Sequence, residues 1–458
     1  MTERTFRPYD RDQLILLPPS LQDWLPEGHL SDCVAELVDA LDLSEIFSYY
    51  GGPARGTVPF NPRMLTTVLL YAYCVGVFSS RKIARKLEED VAFRVLAANQ
   101  RPDFRTISDF RKVHLKALSG LFKQVFGLCR KADMVKLGNV AVDGTKIQAA
   151  ASKHKAMSYD RMEKEEARLT AEIEAMFRAA QAIDEREDAE YGSDRRGDEL
   201  PAEMAFRESR RKKIREAKAA LEREAKDKAE SANREIEARE KEGTQCGPKP
   251  KELSGIPAPK AQKNFTDPES RIMPSSTYKG SFMQGYNCQA AVDGKSQIIV
   301  AADVTQETND KKQAEPMLEQ VLANVGAMPK NALMDAGYFS EENMGKIDKP
   351  GMEIFMPPNR MEHGKDMQAA PRGRIPETLS VADRMRRKLR TRKGRAIYAL
   401  RKEIVEPVFG QIKQARGFRQ FLLRGVEQVK GEWSLVCTTH NILKLWKSGR
   451  FKAVCAGI

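Results

Sequence analysis

The chain has 458 residues, 41% of them hydrophobic and 31% charged, with a formal net charge of +13. That length calls for two or three structural units around at least one full core, and the positive excess points to a polyanionic partner, because each neutralised phosphate releases a condensed counterion. The longest apolar run, Met64 to Phe78, is too short for a membrane span, the N-terminus opens polar and charged, and seven scattered cysteines form no Cys-x-x-Cys pair, so a reduced cytoplasmic chain is expected.

The first segment, residues 1–137, reads as helical throughout. Pro62 opens a core helix on which Met64, Leu65, Val68, Leu69, Tyr71 and Ala72 recur at helical spacing. SRKIARKLEED follows, with Ile83 and Leu87 on one face. A third helix is expected after Phe104, where Thr106 and Asp109 have capping-box spacing and Ile107, Phe110, Leu115, Leu118 and Leu121 point inward. With Lys82, Arg85, Lys86, Arg111, Lys112 and His114 on the outside, these helices suit either a helix-turn-helix-like DNA reader or a plain support domain.

The pattern changes at Gly138. NVAVD is a short strand, and its continuation comes much later in YNCQAAVD and SQIIVAADVT, joined at Asp293-Gly294 by a hairpin signal. NALMD and EIFMP supply two more strands with the helical SEENMGKI between them, and a long helix ends the chain. The fold class is therefore mixed α/β, with residues 138–151 and 283–458 as one domain. Residues 152–282 form an insertion: two long Glu-, Lys-, Arg- and Ala-rich helices around EYGSDRRGDELP, then a linker from Gly243 to Lys263 rich in Pro, Gly and Lys. Its charge leaves dimerisation, DNA clamping and spacing all open. From Arg384 to Lys402 there are ten Lys or Arg and no acid, a block expected to seek phosphates.

Three acids stand where an acidic metal site needs them. Asp143 ends the first strand in VAVDGTK, Asp335 ends the fourth in ALMDAGY, and Glu406 lies in the helical IVEPVFGQIK. An acid at the end of a buried strand is costly unless a cation shares it, and Gly144 and Gly337 leave room for a ligand near the backbone. Phosphodiester transfer needs one oxygen activated and another stabilised, which two hard cations held by carboxylates can do. The five histidines show no ligand spacing and no G-x-x-x-x-G-K-[ST] loop occurs, which argues against a zinc hydrolase and an ATPase. Pro407 places Glu406 at a helix start or a kink. Asp303 and Asp310 read as turn or edge residues, and Trp433, Leu435, Val436, Ile442, Leu443 and Trp446 as packing residues.

Tyr398, Arg401, Glu406 and Lys413, together with VAVDGTK and LMDAGY, resemble the DDE transposases of bacterial insertion sequences that carry a Tyr-Arg-Glu-Lys signature. PRMLTTVLLYAYCVGVFSSRKIARKLEED resembles that family's N-terminal transposase domain, and NFTDPESRIM, QGYNCQAAVD and QIIVAADVT its catalytic segments. The resemblance implies a ribonuclease-H-like catalytic domain, two Mg²⁺ ions with Mn²⁺ as a substitute, and cut-and-paste strand transfer. It implies Asp143, Asp335 and Glu406 as catalytic metal ligands and Tyr398, Arg401 and Lys413 as DNA-binding positions. Arg401 and Glu406 enclose four residues where the signature has three, so Lys402 shares the arginine's expected role. The implied partners are double-stranded DNA, as terminal inverted repeats and as target, and further copies of the chain in a dimer or larger assembly at the bacterial nucleoid. A related nuclease that cuts without joining, and an inactive DNA-binding or coiled-coil scaffold, are the alternatives. Asp267, Ser270 and Arg271 lie in a family-like motif without an assigned role.

Overall fold

The computed structural model describes residues 20–50, 58–152, 155–191, 202–241, 253–275, 280–359, 373–376 and 378–455. Seven helices come first: α1 (Leu30–Asp39), α2 (Ser44–Ser48), α3 (Pro62–Cys74), α4 (Ser80–Glu89), α5 (Val91–Leu96), α6 (Phe104–Val113) and α7 (Leu115–Lys131). Helix α3 starts where the proline predicts, with Asn61 Oδ1 accepting from Arg63 N at 2.8 Å and Pro62 in the first turn. The expected third helix divides in two at His114, and its cap is Asp103, whose Oδ1 accepts from Arg105 N at 2.6 Å, rather than Thr106. Two cations expected outside lie inside. Arg111 is buried and donates to Tyr73 Oη at 3.2 Å and to the Phe78 carbonyl at 3.0 Å, while buried His114 bonds to Tyr50 Oη at 3.1 Å. Both hold α6 in place instead of facing DNA.

Strand β1 (Asn139–Gln148) is followed by β2 (Ala156–Ser158), α8 (Tyr159–Tyr191), α9 (Ala202–Lys241), β3 (Gln262–Asn264), β4 (Arg271–Pro274), β5 (Phe282–Asp293) and β6 (Ile299–Thr305). Next come α10 (Ala314–Val325), β7 (Asn331–Leu333), α11 (Glu341–Ile347) and β8 (Glu353–Phe355). The chain ends in α12 (Val381–Arg390), α13 (Arg392–Gly410), α14 (Val426–Lys447) and α15 (Phe451–Cys455). The main sheet runs β4-β5-β1-β7-β8, with β6 pairing β5. Strands β1, β5 and β6 pair antiparallel, whereas β7 and β8 run parallel to β1. This mixed sheet, flanked by α10, α13 and α14, is the expected ribonuclease-H-like α/β domain. The β5–β6 hairpin forms where predicted, but its turn is longer than a two-residue one. Asp293 N donates to Ile298 O at 2.9 Å, and the positive φ falls on Gln297 (57°) rather than on Asp293 or Gly294.

One continuous apolar core joins the helical region to the sheet, because α14 packs on α3 and α7 on one side and on β6 on the other. Trp433 is fully buried at this junction and donates Nε1–H to the Gln289 carbonyl at 3.0 Å. The insertion forms the expected pair of long helices. Its own small core, Met162, Leu169, Ile214, Ala217 and Leu221, lies near the root, where β2 and β3 pair. The loop 192–201, with most of EYGSDRRGDELP, and residues 242–252 of the linker lie outside the described residues. Asp267, Ser270 and Arg271 turn out to be a brace. Buried Asp267 accepts from Tyr286 Oη at 2.9 Å, Ser270 receives Gln284 Nε2 at 2.9 Å, and Arg271 pairs with Glu224 of α9 at 3.1 Å.

The basic block is interrupted, since Thr391 ends α12 and caps α13 by accepting from Gly394 N at 2.9 Å. Pro407 lies inside α13 without stopping it. Its missing N–H leaves the Glu403 carbonyl unserved, and Gln297 Nε2 of the β5–β6 turn supplies the hydrogen bond at 2.8 Å. The helix then widens into a π turn over Gln411–Ala415. Among the described residues no helix is long and apolar enough to cross a membrane.

Candidate active site

Strands β1 and β7 are parallel neighbours; Asp143 does not end β1 as expected but stands mid-strand, because β1 goes on pairing with β5 as far as Gln148, while Asp335 lies just past β7. Asp143 stands in β1 opposite Ala290 of β5, and Asp335 follows β7 as the cap of a 3-10 turn, its Oδ1 accepting from Gly337 N at 2.8 Å. The apolar run that makes β1 a central strand also takes its carboxylate out of water. Burial, reinforced by the Asp335 charge, pushes the Asp143 carboxyl up to about 6 against the pull of Arg401. Burial likewise raises Asp335, with the Asp310 charge adding to it. These are two like charges in a half-dry cleft.

Arg401 of α13 answers that charge. Its Nη1 donates to Asp143 Oδ2 at 2.8 Å, with the two side chains 12% and 19% exposed. Its Nε is buried without a hydrogen-bond partner. Tyr398, one turn earlier and half-buried, lies in the same electrostatic environment: burial raises its hydroxyl, and the Arg401 charge opposes the rise. Lys402 and Glu406 are exposed on α13. On a regular helix residues 401 and 406 are separated by about 140°, so Arg401 and Glu406 cannot face the aspartate pair together. Accordingly, no group of three or more His, Cys, Asp or Glu side chains among the described residues stands close enough to hold a metal ion. Lys413, in the π turn, is half-buried, and burial pulls its ammonium below the usual range.

A further acid belongs here that the sequence suggested was a turn residue. A Cβ on Gly337 would meet Asp335 Oδ1 at 3.0 Å and Asp310 Oδ2 at 3.4 Å, so both carboxylates flank one small notch. Asn287 Nδ2 and Gln289 Nε2 donate to Asp310 Oδ1 at 2.8 and 2.7 Å, and Tyr338 Oη donates to Gln289 Oε1 beneath them. The available signal was a period of two: Asn287 and Gln289 are amides on one face of an otherwise apolar strand. Gly144 admits this arrangement, since a Cβ there would lie 2.5 Å from Gln289 Nε2 and 2.7 Å from Asp310 Oδ1. Asp303, by contrast, pairs with Lys430 at 3.2 Å on the far side of β6.

Comparison with known proteins gives two matches. A family model described as Transposase DDE domain covers residues 254–442, and one described as Transposase domain (DUF772) covers residues 19–113. No curated protein and no solved structure matched the chain. The first span contains Asp310, Asp335, Arg401, Glu406 and Lys413, whereas Asp143 on β1 precedes it.

Proposed function

We propose that this chain, which matches family models described as Transposase DDE domain over residues 254–442 and Transposase domain (DUF772) over residues 19–113, is a DDE transposase of bacterial insertion sequences that cuts transposon ends by phosphodiester hydrolysis and joins the freed 3′-hydroxyl to target DNA. The observation that carries this reading is the half-buried pair Asp143, on β1, and Asp335, just past the parallel neighbour β7, both pushed toward protonation and balanced by one guanidinium. DDE transposase domains use divalent metals, and the donor set fits one: hard carboxylate oxygens, already desolvated and mutually repelling, gain most from a small hard cation. Asp143 and Asp335 would hold Mg²⁺, or Mn²⁺ in its place, with Glu406 as the third ligand. When bound, the ions supply an activated water and neutralise the leaving oxygen.

The protein's own contribution is positional. Strand β1 and the turn after β7 fix the two aspartates, Gly144 and Gly337 leave room for the Asp310 carboxylate beside them, and Tyr398, Arg401, Lys402 and Lys413 grip the flanking DNA. Bringing Glu406 to the aspartates requires α13 to turn its other flank inward, which releases Arg401 from Asp143 toward the substrate. Two transposon ends processed together call for a dimer or larger assembly on the inverted repeats.

The test is cleavage and strand transfer on a labelled transposon-end duplex with Mg²⁺, comparing wild type with Asp143→Asn, Asp335→Asn and Glu406→Gln. Loss of both steps in every variant, with DNA binding retained, supports the reading. Retained activity in any variant removes that residue from the ligand set, and cleavage without joining by wild type points to a nuclease instead.

A further inference from the structure

We propose that a basic groove beside the aspartate pair receives the phosphate backbone of the DNA strand that leads into the site. The inference rests on the transposase reading but concerns surface that, apart from Lys413, the reading leaves unassigned. The groove opens at Thr145 and Lys146, immediately past Asp143 and Gly144 on β1, and encloses about 1240 Å³ between β1, β5, the π turn and the loop before α14. Small-molecule sites span roughly 300–1,000 Å³ and are mostly apolar. This groove is larger, and its described lining includes Lys146, Lys155, Lys413, Arg419 and Arg424 but no Asp or Glu. In a chain with 64 acidic residues, that one-signed lining needs a polyanion rather than a neutral ligand.

Lys146, Lys155, Arg419 and Arg424 form no ion pair with an acid among the described residues. Arg424 Nε donates to the Ala150 carbonyl at 3.1 Å, and Arg419 bonds to the Lys413 carbonyl and the Gln414 amide oxygen, all neutral acceptors. The basic block of α12 and α13 differs. There Lys388 and Lys393 pair with Glu353 at 3.2 and 2.8 Å, Arg386 with Asp383 at 2.6 Å, and Arg401 with Asp143. Among the described residues, four of the ten cations in that block are thus paired with acids of the chain itself, whereas the groove's five cations are scattered over β1, the loop after it and the segment 413–424. Folding alone gathers them.

The experiment is DNA affinity by fluorescence anisotropy on a duplex transposon end, in EDTA, at salt concentrations from 50 to 200 mM, with melting curves confirming that each variant is folded. Each contacted phosphate contributes about 0.9 to the slope of log affinity against log salt. The triple variant Lys146→Gln, Lys155→Gln, Arg424→Gln is therefore expected to lower the slope by roughly 2.7. The double variant Lys146→Gln, Lys155→Gln, which spares the Arg424 anchor, should lower it by roughly 1.8. Arg386→Gln, Lys388→Gln, Lys393→Gln on α12 and α13, whose charges are already paired with acids, should lower it by less. An unchanged slope in both groove variants, or an equal loss in the α12–α13 variant, overturns the assignment. Because no metal is present, this result is independent of whether Asp143→Asn abolishes cleavage.

Discussion

Replacing Arg401 with Met tests whether the guanidinium stands in for a cation at the aspartate pair. The ion pair is 2.8 Å long between side chains 12% and 19% exposed, and removing one partner of a buried pair costs roughly 3–5 kcal/mol. Two features reduce that figure here. Asp143 keeps its hydrogen bond from Gly144 N at 2.9 Å, and the substitution removes an Nε that is buried without a partner. A loss of about 2–3 kcal/mol remains, or roughly 4–12 °C in Tm for a unit of this size. The assay is thermal or urea unfolding at pH 8, above the value near 6 of Asp143, with and without 10 mM MgCl₂. Any ligand that binds only the folded state at 100 times its Kd returns about 2.7 kcal/mol, and the vacated carboxylates should bind Mg²⁺ more tightly than the guanidinium-filled ones. The variant is therefore expected to recover most of its deficit in Mg²⁺ while wild type gains less. A loss below about 1 kcal/mol, or equal Mg²⁺ stabilisation of both proteins, would refute the reasoning.

Two other expectations follow from single residues. Gly144→Ala drives a methyl group to within 2.7 Å of Asp310 Oδ1 and 2.5 Å of Gln289 Nε2, two atoms already anchored; it should cost about 1–3 kcal/mol and abolish cleavage, and a fully active variant would show that Asp310 moves freely. Burial, helped by the Arg416 charge, pulls His440 down to about 3, while an unfolded imidazole titrates near 6.5. The unfolded chain then binds a proton that the folded one refuses, so stability falls as pH drops from about 6.5 toward 3. His440→Gln should remove about 2 kcal/mol of that fall by pH 5, measured by urea melts at pH 8 and 5, and an unaltered pH dependence in the variant contradicts the assignment.

What the sequence disclosed and what it hid divide along physical lines. Helix α3, the β5–β6 hairpin, the β7–α11–β8 order and the paired arm helices were legible because each has a local signature: an N1 proline, a turn, alternating or charged runs. Asp143 and Asp335 were legible for the same reason, as acids directly after apolar runs, although β1 continues past Asp143 to Gln148. Arg111 and His114 were misjudged because a cation on an amphipathic helix looks alike whether it meets water or a buried tyrosine. Asp310 and the five groove cations were invisible because their significance exists only after β1, β5 and the π turn are brought together, and no spacing within one element encodes that. Helix α10 also had a local signature, Ala314, Met317, Leu318 and Val321 at helical spacing, which the strand-led reading of this stretch passed over.

The arm has a consequence for how the chain comes together. Strands β1 and β5 are hydrogen-bonded antiparallel neighbours from Val140–Asp293 to Gln148–Gly285, so in the sheet's wiring the whole insertion takes the place of a hairpin turn. Closing an unstructured loop of that length instead of a tight turn would cost about five doublings, roughly 3 kcal/mol of chain entropy. Pairing of β2 with β3, and of Met162 and Leu169 with Ile214 and Leu221 as α9 folds back on α8, shuts the loop at its base. Once that root has zipped, the strands meet as if separated by a few tens of residues, and the outer arm can lengthen or shorten without altering the sheet's register.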